Sequence, residues 1–158
     1  MTSSLPLSPV PQEARAFQGQ RAGLVTRLSA AVLDVVLVLL LLSAVYVAAN
    51  AVVFLVRPRS FQLLTAPQPV LVGAALLGAV VYLAGAWWVA GRTWGCDVMG
   101  LRIVDRHGRS PRLVLAVVRA TLYVVFPVGV LWCAMTASRR SLQDLLLGTS
   151  VIYDWIRA

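Results

Sequence analysis

The sequence predicts an all-α membrane protein, a small helical bundle of two full transmembrane helices plus a third spanning or re-entrant segment. Of its 158 residues, 59% are hydrophobic and only 13% are charged, which is about half the charged share of a soluble domain. The apolar residues are concentrated in three runs, at about 28–56, 70–90 and 113–137. A soluble fold of this length has too small a core to bury so much apolar surface, so a water-soluble enzyme is excluded.

The first two apolar runs are long enough to cross a bilayer. At about 1.5 Å of rise per residue, run 28–56 exceeds the ~30 Å hydrocarbon core, so we expect it to span with tilt or with projecting ends. Run 70–90 is bounded by Trp87 and Trp88, which are typical of a membrane interface. Residues 1–20 are rich in Ser, Pro and Gln, so we expect a disordered cytoplasmic tail ahead of a membrane domain over 21–158.

The polar middle of the chain, residues 91–112, is predicted to form a short β-hairpin-like cytoplasmic loop. It holds five of the fourteen arginines. Residues 101–105 (LRIVD) are β-prone, and residues 106–109 (RHGR) are typical of a turn. We expect this loop to lie at the membrane surface.

The third apolar segment, 113–137, allows two interpretations. A break at Pro127-Val128-Gly129 makes it either one kinked span or two short halves of a re-entrant hairpin. The positive-inside rule favours the second, because it leaves eleven arginines on the cytoplasmic side of the membrane and two on the other. We therefore expect both termini in the cytoplasm.

Two charges lie inside the apolar runs, Asp34 and Arg119, each six residues from the start of its run. An ionisable group within a span costs ~2.5–3.5 kcal/mol on the insertion scale and is usually paired. Since both runs start on the cytoplasmic side, we expect Asp34 to face Arg119 or another interior arginine. Asp144 is the natural second carboxylate, and it reaches Arg27 if the C-terminal segment folds back under the bundle.

This charge cluster has a structural and a functional interpretation. Arg–Asp pairs neutralise each other and fix the register of helices. Alternatively, a membrane carboxylate exchanges a proton or binds Na⁺, as in a transporter.

Other kinds of site have little support in the sequence. The two cysteines and the single histidine are not clustered, so we expect no disulfide, metal or cofactor. No catalytic triad, phosphate-binding loop or metal motif is present, and we expect no enzymatic activity. The net charge of +8 comes entirely from arginine and surrounds apolar runs, which favours anionic lipid headgroups as partners and argues against nucleic acid.

Four segments together resemble the RDD family of bacterial membrane proteins, named for one Arg and two Asp: 27–34 (RLSAAVLD), 91–105 (GRTWGCDVMGLRIVD), 119–120 (RA) and 141–149 (SLQDLLLGT). The resemblance implies a multi-pass protein of the inner (plasma) membrane. It assigns the family charges to Arg27, Asp34 and Asp144, and the loop motif to Gly91, Thr93 and Gly95.

The sequence departs from the family pattern at two positions. Gln143 stands where members commonly carry His, and Cys96 stands where a basic residue is usual. Gln143 does not titrate, which weakens a His–Asp proton relay.

Two functions follow from this reading. The first is transport-associated: cation/proton exchange, or a role as a transporter subunit, with Asp34 as the ion or proton site and Arg27 and Arg119 tuning it. The alternative is a non-catalytic accessory or assembly protein of a larger membrane complex, with the Arg/Asp cluster structural. Either function is compatible with a homo-oligomer or with a larger complex. Loss of ion flux in Asp34→Asn would support transport. A stoichiometric partner in native membranes would support the accessory role.

Overall fold

Two long helices dominate the computed structural model, which describes residues 17–135 and 141–155. Helix α1, Leu24–Val56, has 33 residues and a mean hydropathy of 2.7, and helix α2, Gln68–Ala90, has 23 residues and a mean hydropathy of 2.1. Both are long and apolar enough to cross a membrane, with rises of about 50 Å and about 35 Å. Most side chains along both helices are exposed, as expected for lipid-facing surfaces.

The ends of these helices follow from local chemistry. Pro58 directly follows the C-cap of α1 at Arg57, and its fixed φ and missing N–H prevent the helix from continuing. Helix α2 ends at Gly91, which adopts a left-handed conformation with φ of +69°. The Gly91 N–H donates to the carbonyl oxygen of Trp87 at 3.0 Å and closes the last turn.

The polar middle contains a short helix, α3 (Trp94–Val98), and a strand, β1 (Leu101–Val104). Strand β1 pairs antiparallel with β2 (Ser150–Tyr153), with Leu101 opposite Tyr153 and Val104 opposite Ser150. The expected strand is therefore present, but the expected local hairpin is wrong. Residues 106–109 do form a turn, yet the chain leaves it for a helix, and the partner strand comes from the C-terminal segment.

The third apolar segment is broken, and it does not form one helix over 113–137. Helix α4, Leu113–Val125, has 13 residues and rises about 20 Å, which is short of the ~30 Å hydrocarbon core. A 3₁₀ turn, Pro127–Val130, and a short helix, α5 (Trp132–Met135), follow it. Residues 136–137 lie outside the described ranges. Helix α6, Leu142–Leu147, then leads into β2.

The start and the end of the described chain meet at one end of the molecule, which we call the motif end. There α1 begins, α2 ends and the two strands pair. The N–H groups of Gly19 and Ala22 donate to the carbonyl oxygens of Tyr153 and Val151, at 2.8 and 2.9 Å. Residues 17–20, which we expected within a disordered tail, thus pack on β2; residues 1–16 lie outside the described ranges.

A small hydrophobic core occupies the motif end. It joins the start of α1, the end of α2, helix α4 and both strands, and its members are Ala22, Ala30, Leu83, Ala84, Trp87, Cys96, Leu101, Ile103, Ala116, Ala120 and Val151. Helix α4 packs closely on α2, where Ala84, Ala116 and Ala120 are small buried residues, and α3 packs closely on α1.

Candidate functional site

The buried charges of the motif end meet at Asp144. Arg27 Nη1 lies 2.5 Å from Asp144 Oδ2, and Arg119 Nη1 lies 2.6 Å from Asp144 Oδ1. The side chains are 5%, 3% and 0% exposed for Arg27, Arg119 and Asp144. The expected contact between Asp144 and Arg27 is therefore present, because the C-terminal segment folds back against the start of α1.

The local structure of α6 holds Asp144 in place. Asp144 and Ser141 form a capping box, in which Ser141 Oγ accepts from the Asp144 N–H and Asp144 Oδ2 accepts from the Ser141 N–H. The Thr149 hydroxyl donates to Asp144 Oδ1 at 3.2 Å and also contacts Arg119 Nη1. Gly148, left-handed with φ of +64°, ends the helix so that Thr149 can turn back toward the carboxylate.

The two arginines keep Asp144 ionised. Burial opposes the charged carboxylate, but the Arg119 and Arg27 guanidinium groups outweigh burial and hold the pKa of Asp144 well below its usual range. The carboxylate accepts four contacts, one each from Arg27, Arg119, the Thr149 hydroxyl and the Ser141 backbone N–H. Both oxygens of this carboxylate are therefore occupied by donors within the protein.

Asp34 lies apart from Asp144 and its two arginines, and it binds the loop motif. Its carboxylate accepts from Thr93 Oγ1 at 2.5 Å, from the Gly95 N–H at 2.8 Å and from the Tyr82 hydroxyl at 2.9 Å. The expected contact of Asp34 with Arg119 or another interior arginine is wrong: within the described residues Asp34 forms no ion pair. Arg119 reaches Asp144 instead, and donors at the start of α3 satisfy Asp34.

The loop glycines allow this close approach. A Cβ at Gly95 would collide with the carbonyl oxygen of Ala30 and would lie 2.9 Å from the carboxyl carbon of Asp34. Gly91 has φ of +69°, and a Cβ there would lie 2.7 Å from Ser110 Oγ. Both positions therefore require glycine, one for contact with α1 and the other for the turn that ends α2.

These residues lie within a match to a known family. The sequence matches the RDD family over residues 21–148, which include all four charges of the cluster. The chain belongs to the RDD family. RDD proteins are membrane proteins, in agreement with the two candidate spans. No curated protein and no solved structure matches the chain in the same comparisons.

The two departures from the RDD pattern have structural roles. Gln143 is buried, and its Nε2 donates to the carbonyl oxygen of Phe126 at 2.8 Å, where it fixes the chain just after α4. Cys96 is 8% exposed, and burial raises the pKa of its thiol. Its N–H donates to the Thr93 hydroxyl at 3.2 Å, so Thr93 caps α3 while it also donates to Asp34.

A small cavity lies next to Asp34, Arg27 and Arg119. It has a volume of about 30 Å³, and Arg27, Asp34, Trp87 and Arg119 are among the residues that line it. A cavity of this volume holds about one water molecule. Within residues 17–135 and 141–155, no group of three His, Cys, Asp or Glu residues is placed to bind a metal ion.

The roles of three residues at the site were not apparent from the sequence. We expected Trp87 at the membrane interface, but this side chain is 2% exposed and lies within the protein core. Trp87 stacks under Arg119, whose Cζ lies 5.2 Å from the ring centroid, and packs edge-on against Tyr123. Tyr82 donates to Asp34, and Thr149 donates to Asp144. For Tyr82 the sequence offers one signal: its hydroxyl lies within an apolar run, and a buried Tyr hydroxyl usually has a hydrogen-bond partner.

Proposed function

We propose that this chain is a non-catalytic accessory or assembly protein of a larger membrane complex, and that its Arg/Asp cluster is structural. One observation carries the proposal: Asp144 lies between Arg27 and Arg119, buried and with both oxygens occupied. This arrangement ties the start of α1, the middle of α4 and the N-terminus of α6 into one unit. A titrating or ion-binding carboxylate needs an oxygen that is free to exchange ligands, and Asp144 offers none.

The dimensions of the site support the same proposal. The cavity next to the charges has a volume of about 30 Å³, which is too small for a hydrated cation. Over residues 17–135 and 141–155, the chain supplies two helices of spanning length and one apolar helix of 13 residues. An alternating-access pathway is usually built between repeats of several helices, so one copy of this chain is too small to form it.

We further propose a membrane orientation for the chain. The N-terminus and the motif end lie in the cytoplasm of the inner (plasma) membrane, and α4 with α5 enters the bilayer and returns to the same side. The arginine distribution of eleven against two supports this orientation. So does β2, which reaches the motif end and pairs there with β1.

The accessory role is tested by capture of partners. A tagged full-length chain is cross-linked in living cells, solubilised in a mild detergent and purified, and co-purifying proteins are quantified. We expect a membrane partner at a fixed stoichiometry. Recovery of the chain alone, as a monomer or homo-oligomer under both cross-linked and native conditions, contradicts the proposal.

A specific observation favours a second candidate function, cation/proton exchange. Asp34 has no arginine partner among the described residues, and it borders both the small cavity and an apolar groove of about 350 Å³ between α1, α2 and α4. The test is proton flux driven by a cation gradient in proteoliposomes. Flux that is lost in Asp34→Asn but retained in Asp97→Asn, a partly exposed carboxylate of α3, supports exchange. Absence of flux in the wild type supports the accessory role.

A further inference from the structure

A polar pocket at the motif end is distinct from the charge cluster. It has a volume of about 550 Å³ and lies where α2 passes into the loop motif. Two guanidinium groups line it, those of Arg92 and Arg102, together with the Asp97 carboxylate, Ser110 and the apolar side chains of Val89 and Trp94. Its lining therefore combines two cations and one carboxylate with an apolar side.

The exposed residues around the pocket are typical of the depth of the lipid headgroups. The pocket follows directly on the last turn of α2, where Trp88 and Val89 are 51% and 76% exposed. Trp94 and Val98, on one face of α3, are 54% and 51% exposed. Exposed tryptophans at the end of a spanning helix mark the membrane–water interface, so the apolar side of the pocket faces acyl chains and the arginines face headgroups.

The arginines retain hydrogen-bonding capacity toward an anion. Arg92 contacts Asp97 at 3.3 Å and Asp154 at 3.4 Å, and Arg102 contacts the same Asp154 oxygen at 3.4 Å. Each guanidinium carries five N–H donors, and these contacts are at the long end of the ion-pair range. Arg102 Nε is buried without a hydrogen-bond partner among the described residues.

The loop motif keeps Arg102 at the pocket. Arg102 lies on β1, and its Nε would be 3.4 Å from a Cβ at Gly91. Gly91 therefore lets the guanidinium pack against the turn that ends α2. The pairing of β1 with β2, which sets Arg102 opposite Ile152, fixes the backbone from which the Arg102 side chain extends.

We propose that this pocket binds the phosphate of an anionic phospholipid headgroup through Arg92 and Arg102, with the acyl chains beside Trp94 and Val89. Planar guanidinium groups bind phosphate oxygens in a bidentate manner, and two of them in one pocket favour a phosphodiester over a single water. Asp154 competes for both arginines, so it limits the affinity. The site does not depend on the accessory role and holds whether the chain transports ions or not.

The test measures lipid binding to the purified, delipidated full-length chain. Native mass spectrometry counts bound phosphatidylglycerol and phosphatidylcholine during titration. We expect phosphatidylglycerol to bind more tightly, and Arg102→Gln and Arg92→Gln each to weaken it roughly tenfold, as for loss of a charged hydrogen bond. Arg109→Gln is the matched control, because Arg109 is exposed in the 106–109 turn and does not line the pocket, although its neighbour Ser110 does.

Removal of the competing carboxylate gives a change of the opposite sign. Asp154→Asn should tighten phosphatidylglycerol binding, which a purely structural role of the ion pairs does not predict. The unfolding midpoint of each variant in detergent confirms that it is folded. If Asp154→Asn does not fold, the comparison of Arg102→Gln with Arg109→Gln decides the proposal.

Three results overturn the proposal. Equal weakening by Arg102→Gln and Arg109→Gln indicates diffuse attraction to a basic surface. Equal binding of phosphatidylcholine and phosphatidylglycerol shows no preference for an anionic lipid. Displacement of the lipid by millimolar inorganic phosphate assigns the pocket to a soluble anion.

Discussion

Arg27 and Asp144 are separated by 117 residues in the chain, and their side chains meet at 2.5 Å. The contact joins the first turn of α1 to the first turn of α6, so it closes the described chain on itself. Arg119 meets the other oxygen of the same carboxylate from α4 at 2.6 Å. Three elements that are distant in sequence therefore meet at one buried carboxylate.

Asp144→Asn is expected to be strongly destabilising. The substitution keeps the shape of the side chain but leaves two buried guanidinium groups without their counter-charge. Breaking a buried pair in this way costs roughly 3–5 kcal/mol. The measurement is the midpoint of thermal unfolding in detergent, followed by the loss of the folded peak in size-exclusion chromatography.

Asp97→Asn is the control for this prediction. Asp97 also contacts an arginine, Arg92, but its side chain is 28% exposed, and pairs at the surface contribute about 0–1 kcal/mol. Equal loss of stability in Asp97→Asn and Asp144→Asn would contradict the structural role of the buried cluster.

The sequence predicted the two long helices well and the partners of the charges only in part. Apolar runs of spanning length are a strong signal, and the contact of Asp144 with Arg27 followed from folding the C-terminus back. The contact of Asp34 with Arg119 failed because equal depth in the membrane does not fix which face of a helix a side chain occupies. Asp34 instead meets donors at the start of α3, which apolar patterning does not reveal.

The pairing of β1 with β2 was also beyond the sequence. Each strand has four residues, and such a short strand carries no information about a distant partner. The turn at 106–109 suggested a local hairpin, but apolar residues from Leu113 onward start α4 directly after it. Strand β2 also accepts backbone hydrogen bonds from Gly19 and Ala22, so residues distant in sequence contact it in addition to those of β1.

Gly95→Ala is expected to destabilise the protein by about 1–3 kcal/mol, the usual range for overpacking. The added Cβ would collide with the backbone carbonyl of Ala30 and approach Asp34, and a backbone atom cannot yield as a flexible side chain can. Gly73→Ala is the matched control, because a Cβ there meets nothing within 4 Å. Alanine within α2 should be neutral or stabilising by about 0.5–1 kcal/mol. Similar unfolding midpoints for the two variants would refute the close approach of α3 to α1.

The contribution of Asp144 to stability has a defined pH window. Its pKa in the folded protein is lowered, while in the unfolded chain it is about 3.9. A group with a lowered folded pKa contributes fully above its unfolded pKa and loses that contribution as the pH falls toward the folded pKa. The advantage of wild type over Asp144→Asn should therefore be constant from pH 7 to about 5 and shrink below about 4. Unfolding midpoints of both proteins across this range measure it, and an advantage that declines already between pH 7 and 5 would contradict it.

The re-entrant orientation predicts which residues face the same side of the membrane. Arg59 lies at the end opposite the motif end, whereas His107 and Trp155 lie at the motif end, and all three are exposed. The native Cys96 and Cys133 are 8% and 3% exposed, so they should react slowly. Single cysteines at the three positions are labelled with a membrane-impermeant maleimide in cells with an accessible inner membrane. Arg59→Cys should react in intact cells, and His107→Cys and Trp155→Cys only after permeabilisation. Reaction of Trp155→Cys in intact cells, with His107→Cys still protected, would mean that the segment after α4 crosses the bilayer and that the pairing of β1 with β2 does not form in the membrane.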